Sequence, residues 1–104
     1  MTRKIIPFVF ALLLLGASQA FAHTPLCSCW DNGDGTVTCE GGFSDGSSAA
    51  GVGISILDAA EAVLESGKMS ETSEFTFKKP AGEYSVKFDA GEGHRIVIPG
   101  SQIH

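Results

Sequence analysis

The segment that decides the fold runs from Glu74 to Phe88 and reads EFTFKKPAGEYSVKF. Apolar and polar residues alternate in its first five positions, 74–78, and again in its last five, 84–88. Alternation with a period of two is typical of a β-strand that buries one face. A Pro-Ala-Gly sequence, which favours a turn, stands between the two runs. The segment therefore predicts two short strands separated by a turn.

The rest of the chain repeats this pattern at short intervals. Further alternating runs cover residues 36–40, 52–57 and 95–98, with Gly-rich or polar segments between them. Short strands with turn signals every ~8 to 12 residues are typical of an antiparallel sandwich or small barrel. Residues 58–65 are rich in Ala and Glu, which favour a helix locally, but apolar residues on both sides indicate a turn within a hairpin. We predict a single all-β domain over residues 23–104, a small antiparallel β-sandwich.

Three cysteines, Cys27, Cys29 and Cys39, lie near the start of that domain. The turn sequence Asn-Gly-Asp-Gly stands between them, so we predict an N-terminal cysteine-bearing hairpin. If Trp30 pairs with Thr36, Cys27 lies opposite Cys39, and Cys29 lies on the same face. The three sulfur atoms then converge.

Two outcomes are open for these cysteines. In an oxidising compartment, Cys27 and Cys39 form a cross-strand disulfide that stabilises a domain with a thin core. The odd number of cysteines then leaves one free thiol. In the other outcome all three stay reduced and bind a transition metal, because thiolates are soft ligands for copper(I), zinc or nickel.

The first 22 residues have the layout of a secretory signal peptide. Arg3 and Lys4 precede an apolar run over residues 5–15, and small residues follow, with Ala20 and Ala22 in the pattern of a cleavage site. The apolar run is shorter than the ~18 to 20 residues that span a bilayer. We predict cleavage after Ala22 and a periplasmic mature domain of 82 residues.

The predicted mature domain is acidic. It keeps five basic residues against 12 carboxylates, which gives a net charge of −7. Such a surface repels phosphate backbones, so we expect no nucleic acid partner. No second apolar segment is long enough to insert into a membrane after cleavage. Because of its negative net charge, the domain is expected to attract cations.

From Gly51 onward the chain resembles a known module. The residues that carry the likeness are the runs 51–58 (GVGISILD), 63–69 (VLESGKM), 74–77 (EFTF) and 80–91 (PAGEYSVKFDAG). This pattern resembles the transthyretin-like, or carboxypeptidase regulatory-like, sandwich module. The resemblance implies a seven-stranded sandwich of transthyretin-like or immunoglobulin-like type, in which a Pro-x-Gly-x-Tyr turn begins the penultimate strand.

Two further features make the resemblance more specific. They are the Gly-x-Gly-His sequence at residues 91–94 and the signal peptide. The chain is similar to small periplasmic components that accompany bacterial nickel and cobalt uptake systems. Cleavage after Ala22 gives His23 a free α-amine beside its imidazole, and both can chelate one metal ion. His94 is expected on a turn, where Asp89 and Glu92 supply oxygen ligands or orient its imidazole. The candidate metal ligands are His23, Cys27, Cys29, Cys39 and His94.

The function expected from these features is binding and not catalysis. The sequence contains no G-x-S-x-G, H-E-x-x-H or phosphate-binding glycine motif, so we expect no enzymatic activity. We expect a periplasmic transition-metal-binding protein that assists nickel or cobalt uptake, with copper as the alternative metal and a membrane metal transporter as its partner. The rival hypothesis is a structural or protein-interaction module with a stapling disulfide and no metal.

Overall fold

Seven β-strands make up most of the described protein. A computed structural model describes residues 24–104. The predicted signal peptide and His23 lie outside these residues. In chain order the elements are β1 (Pro25–Asp31), β2 (Thr36–Phe43), β3 (Gly53–Asp58), β4 (Val63–Lys68), β5 (Glu74–Lys78), β6 (Tyr84–Asp89), β7 (Arg95–Pro99) and a 3₁₀ turn (Gly100–Gln102).

The strands form two sheets that pack face to face. One sheet has three strands in the order β1-β2-β5, and the other has four in the order β4-β3-β6-β7. All neighbouring strands are antiparallel. Buried side chains from both sheets meet in one core, which is the arrangement of a β-sandwich. The predicted all-β sandwich is therefore confirmed. Within residues 24–104, no helix is long and apolar enough to cross a membrane.

β6 shows how the alternating sequence produces this core. Tyr84, Val86 and Phe88 are buried, whereas Ser85 and Lys87 between them are only partly buried. Successive side chains of a strand point to opposite faces, so the apolar set of β6 faces the other sheet. The buried apolar residues of the described chain are Val37, Cys39, Ala49, Ile54, Ile56, Met69, Phe77, Tyr84, Val86, Phe88 and Ile103.

The residues between β3 and β4 form a turn, as predicted. Asp58 Oδ1 accepts hydrogen bonds from the backbone N–H groups of Ala60 and Ala62, both at 2.9 Å. Glu61 adopts a left-handed backbone conformation with φ of 66°. A short acidic side chain that bonds to the backbone just after it favours a turn over a helix. These contacts outweigh the local helix preference of Ala and Glu.

The N-terminal cysteine hairpin is present, but its register differs from the predicted one by two residues. Cys29, and not Cys27, lies opposite Cys39. Cys29 and Cys39 form a disulfide with their Cα atoms 4.0 Å apart, and Cys27 is the free thiol among the described cysteines. The predicted Cys27–Cys39 disulfide is therefore wrong. A shift of two residues keeps every side chain on its face, so all three cysteines still share the inner face.

The turn of this hairpin explains the shift. The sequence predicted that Trp30 pairs with Thr36, but the last pair of the ladder joins Asp31 to Val37. The Asn32 N–H donates to the Thr36 carbonyl at 3.0 Å, and Asn32 Nδ2 donates to the Thr36 hydroxyl at 3.0 Å. Both bonds place Thr36 opposite Asn32, one step beyond the Asp31–Val37 pair, and not opposite Trp30. Local side-chain bonds of this kind leave no trace in the alternation of the sequence.

Gly41 on β2 allows the two sheets to approach closely. A Cβ atom at this position would lie 2.7 Å from the ring of Phe88 and 3.2 Å from the Cβ of Ala49. We expect Gly41→Ala to lower the free energy of unfolding by ~1 to 3 kcal/mol, because an added methyl group overpacks a close-packed core. Urea unfolding measures the change. Gly42→Ala is the matched control, since the nearest atom to a Cβ there is 3.9 Å away. Equal losses in both variants would contradict this explanation.

Candidate functional site

His94 lies on the turn between β6 and β7. Gly91 and Gly93 have φ angles of 116° and 76°, which glycine adopts without the strain that other residues incur. The His94 N–H donates to the Gly91 carbonyl at 2.9 Å, and the His94 carbonyl accepts the Ala90 N–H at 3.0 Å. The backbone of the turn is therefore held in place, while the His94 side chain is exposed.

The main chain also orients the imidazole of His94. Its Nδ1 atom lies 3.1 Å from the carbonyl oxygen of Glu92. A carbonyl oxygen can only accept, so in the neutral ring Nδ1 carries the proton and Nε2 keeps its lone pair. Histidine ligands in metal sites commonly donate their second ring nitrogen to such an acceptor. In this arrangement Nε2 is the ring nitrogen of His94 that keeps a free lone pair.

The carboxylate of Asp89 shapes this turn. Its Oδ1 atom accepts hydrogen bonds from the Gly91 N–H at 3.0 Å and from Arg95 Nε at 3.2 Å. The bond from Gly91, followed by that from Arg95, lowers the pKa of Asp89. The sequence predicted that the side chains of Asp89 and Glu92 coordinate the metal or orient the imidazole. In the structure the orienting group is the main-chain carbonyl of Glu92, which residue type alone does not reveal.

The start of β1 lies at the same end of the sandwich as His94. Cys27 pairs with Gly41 across the hairpin, and Gly41 packs against the ring of Phe88 on the facing sheet. Phe88 pairs in turn with Ile96, two residues after His94. This series of contacts places the beginning of β1 and the beginning of β7 on one side of the molecule.

Thr24, the first described residue, is anchored at this end. Its carbonyl accepts the Ser44 N–H at 2.8 Å, and its own N–H donates to the Ser44 hydroxyl at 3.1 Å. A chain cleaved after Ala22 has one residue before this anchored position. Thr24 is thus held at the end of the sandwich that carries His94.

The structure separates the three cysteines that were predicted as ligands. Cys29 and Cys39 are joined to each other, so neither offers a thiolate in this form. Cys27 is free and half-buried, and burial raises its pKa to about 11. At neutral pH Cys27 is therefore a protonated thiol, which is a poor ligand and a poor nucleophile. Of the predicted ligands in the described chain, only His94 presents a free donor atom.

The described chain does not complete a metal site by itself. Residues 24–104 contain no group of three or more His, Cys, Asp or Glu side chains placed to hold a metal ion. No protein-family model matches this chain, and comparison with curated proteins and with solved structures found no match. The likeness to the transthyretin-like module and to nickel and cobalt uptake components stays a prediction. The contribution of His23, outside the described residues, also stays a prediction.

Proposed function

We propose that this protein is an exported, non-enzymatic transition-metal-binding protein. In this proposal, nickel, cobalt or copper binds at the end of the sandwich where β1 begins. His94 contributes Nε2, and His23 contributes its imidazole and the α-amine that cleavage after Ala22 creates. The observation that carries the proposal is the contact between His94 Nδ1 and the Glu92 carbonyl at 3.1 Å, because it leaves Nε2 as the donor atom.

The chemistry of this donor set suits the proposed metals. Imidazole and amine nitrogens are ligands that nickel(II), copper(II) and cobalt(II) accept readily, with affinity highest for copper. The α-amine and the imidazole of His23 belong to one residue, so they close a small chelate ring around the ion. The mature net charge of −7 also favours the approach of cations. The anchoring of Thr24 and of the His94 turn at one end of the domain supports a site at that end.

A membrane metal transporter is the proposed partner. The likeness of residues 51–94 to periplasmic components of nickel and cobalt uptake supports this part of the proposal. An exposed site at one end of a sandwich can transfer its metal to a second protein without unfolding. We therefore propose that the protein delivers or retains the metal for uptake.

Metal titration of the oxidised mature protein tests the proposal. By isothermal titration calorimetry we expect about one equivalent of nickel(II), cobalt(II) or copper(II), and binding at least about tenfold weaker in His94→Ala. His23→Ala is expected to weaken binding in the same way. His104→Ala is the matched control, because the His104 carbonyl bonds to the Asp31 N–H at the other end of β1. Unchanged affinity in the His94→Ala variant would refute the proposal, and intact mass verifies that the chain begins at His23.

The second candidate function is a structural or protein-interaction module without metal. The observation in its favour is that a disulfide occupies two of the three thiols. In addition, Val63 and Leu64 on the edge strand β4 are apolar side chains that are 61% and 52% exposed. This candidate predicts no uptake of any of the three metals in the same titration, and an unchanged oxidised fold.

A further inference from the structure

We propose that Asp89 is the positioning residue of the histidine site, and that it acts on His94 through the main chain of the turn between them. Asp89 is the last residue of β6, and His94 directly precedes β7. The inference rests on the proposed function and goes beyond it, because it assigns a role to a carboxylate that need not touch the metal. Asp89 determines which ring nitrogen of His94 is free to bind.

Hydrogen bonds, and not packing, hold this turn. Residues 91–95 are all exposed, so the burial of apolar side chains does not fix their positions. Gly91 and Gly93 have positive φ angles of 116° and 76°, and glycine adopts many other backbone conformations at similar energy. Exposed segments with few buried contacts open readily. The conformation of the turn therefore depends on the few hydrogen bonds that close it.

A continuous path of contacts joins Asp89 to the imidazole. Asp89 Oδ1 accepts the Gly91 N–H at 3.0 Å, and the Gly91 carbonyl accepts the His94 N–H at 2.9 Å. Gly91 is thus held on both sides, through its N–H and through its carbonyl. The next residue is Glu92, whose carbonyl oxygen lies 3.1 Å from His94 Nδ1. Asp89 therefore fixes the residue that precedes the orienting carbonyl.

Arg95 makes a smaller contribution to the same arrangement. Its Nε atom donates to Asp89 Oδ1 at 3.2 Å, and the two residues face each other in the ladder pair next to the turn. Their side chains are 52% and 37% exposed, and exposed ion pairs contribute little because the solvent screens them. We therefore assign the positioning chiefly to the bond between Asp89 and Gly91.

Loss of the Asp89 carboxylate has a definite consequence for the metal site. The Gly91 N–H then has no carboxylate to donate to, and the turn samples further conformations in which the Glu92 carbonyl leaves Nδ1. A ring without that acceptor carries its proton on either nitrogen, and a protonated Nε2 has no lone pair for a metal. Groups that orient a ligand without binding the metal typically contribute 10- to 100-fold in affinity. We expect about tenfold for Asp89.

The experiment measures the proton position and the metal affinity separately. In the metal-free mature protein with ¹⁵N-labelled histidine, at about pH 9 where an imidazole is neutral, long-range ¹H–¹⁵N spectra distinguish a proton on Nδ1 from one on Nε2. His94→Ala identifies the signals of His94. We expect the Nδ1–H form to predominate in the unmodified protein and a mixture of both forms in Asp89→Ala. Calorimetric titration with nickel(II) should show about tenfold weaker binding in Asp89→Ala.

Two variants separate positioning from a general loss of stability. Asp58→Ala is the matched control, because the Asp58 carboxylate bonds to the turn after β3 in the same way. Asp58 pairs with Tyr84, at the opposite end of β6 from Asp89, so its loss should change neither reading. Asp89→Asn keeps an oxygen that accepts the Gly91 N–H and should restore most of both. Far-UV circular dichroism verifies that each variant is folded.

The two readings also distinguish the possible failures. Equal proportions of the two ring forms in Asp89→Ala and in the unmodified protein would overturn the inference. Unchanged nickel(II) affinity in Asp89→Ala, where His94→Ala lowers it, would overturn it as well. If His94→Ala leaves nickel(II) affinity unchanged, the proposed function fails. The ring forms of the metal-free protein still show in that case whether Asp89 positions the imidazole.

Discussion

Phe88→Ala is expected to lower the free energy of unfolding by about 3 to 5 kcal/mol. Phe88 is fully buried on β6, an inner strand of the four-stranded sheet, and its ring lies against Gly41 of the facing sheet. Removing the ring exposes a cavity between the two sheets, and the backbones around it cannot close the gap fully. A domain of this size has a free energy of unfolding of only ~4 to 12 kcal/mol. The expected loss is therefore a large part of the total.

Urea unfolding followed by circular dichroism measures this loss. Val97→Ala is the matched control, because Val97 lies on the adjacent strand β7 but is 57% exposed, and we expect a change below ~0.5 kcal/mol. The double variant Gly41→Ala/Phe88→Ala adds a second test, since the new methyl group enters the cavity that the ring vacated. The two changes should therefore couple by ~0.5 to 3 kcal/mol. Strict additivity would show that Gly41 and Phe88 do not meet.

Removal of the disulfide is the second large effect that we expect. Cys29→Ala/Cys39→Ala should lower the free energy of unfolding by about 2 to 5 kcal/mol. The disulfide joins residues ten positions apart and restricts the unfolded chain, and it also anchors β1, an edge strand, to the core. A small domain with few large apolar side chains depends on such a link.

Cys27→Ala provides the control for the disulfide prediction. Cys27 is half-buried and takes no part in the bond, so its loss should change stability by less than about 1 kcal/mol. Peptide mapping of the oxidised protein by mass spectrometry should recover Cys29 linked to Cys39. A Cys27–Cys39 peptide, or a larger loss of stability in Cys27→Ala than in the double variant, would contradict the observed register.

Most of the fold could be predicted, because the burial of every second side chain in a strand appears in the sequence as an alternation of apolar and polar residues. The runs 74–78 and 84–88 alternate, and each is a strand, β5 and the first five residues of β6. Alternation reports which side chains face the core, and this property depends only on neighbouring residues. The common face of the three cysteines was predictable for the same reason, since a face survives any register shift of two residues.

The candidate site was less predictable, because its chemistry depends on main-chain geometry. The sequence indicated His94 and the glycines around it as a turn. It did not indicate that the Glu92 carbonyl, and not a carboxylate, orients the imidazole. It also did not indicate that burial would leave Cys27 a protonated thiol with a pKa of about 11.

The sequence by itself determined that the chain forms short antiparallel strands, which residues of each strand face the core, and that three cysteines share one hairpin face. Only the tertiary structure decided which two of them are linked, because the hydrogen bonds of Asn32 in the turn set the register. It also decided how closely the sheets approach at Gly41. The approach at Gly41 depends on residues far apart in the chain, and the register depends on side-chain hydrogen bonds within the turn. An alternation of apolar and polar residues encodes neither of them.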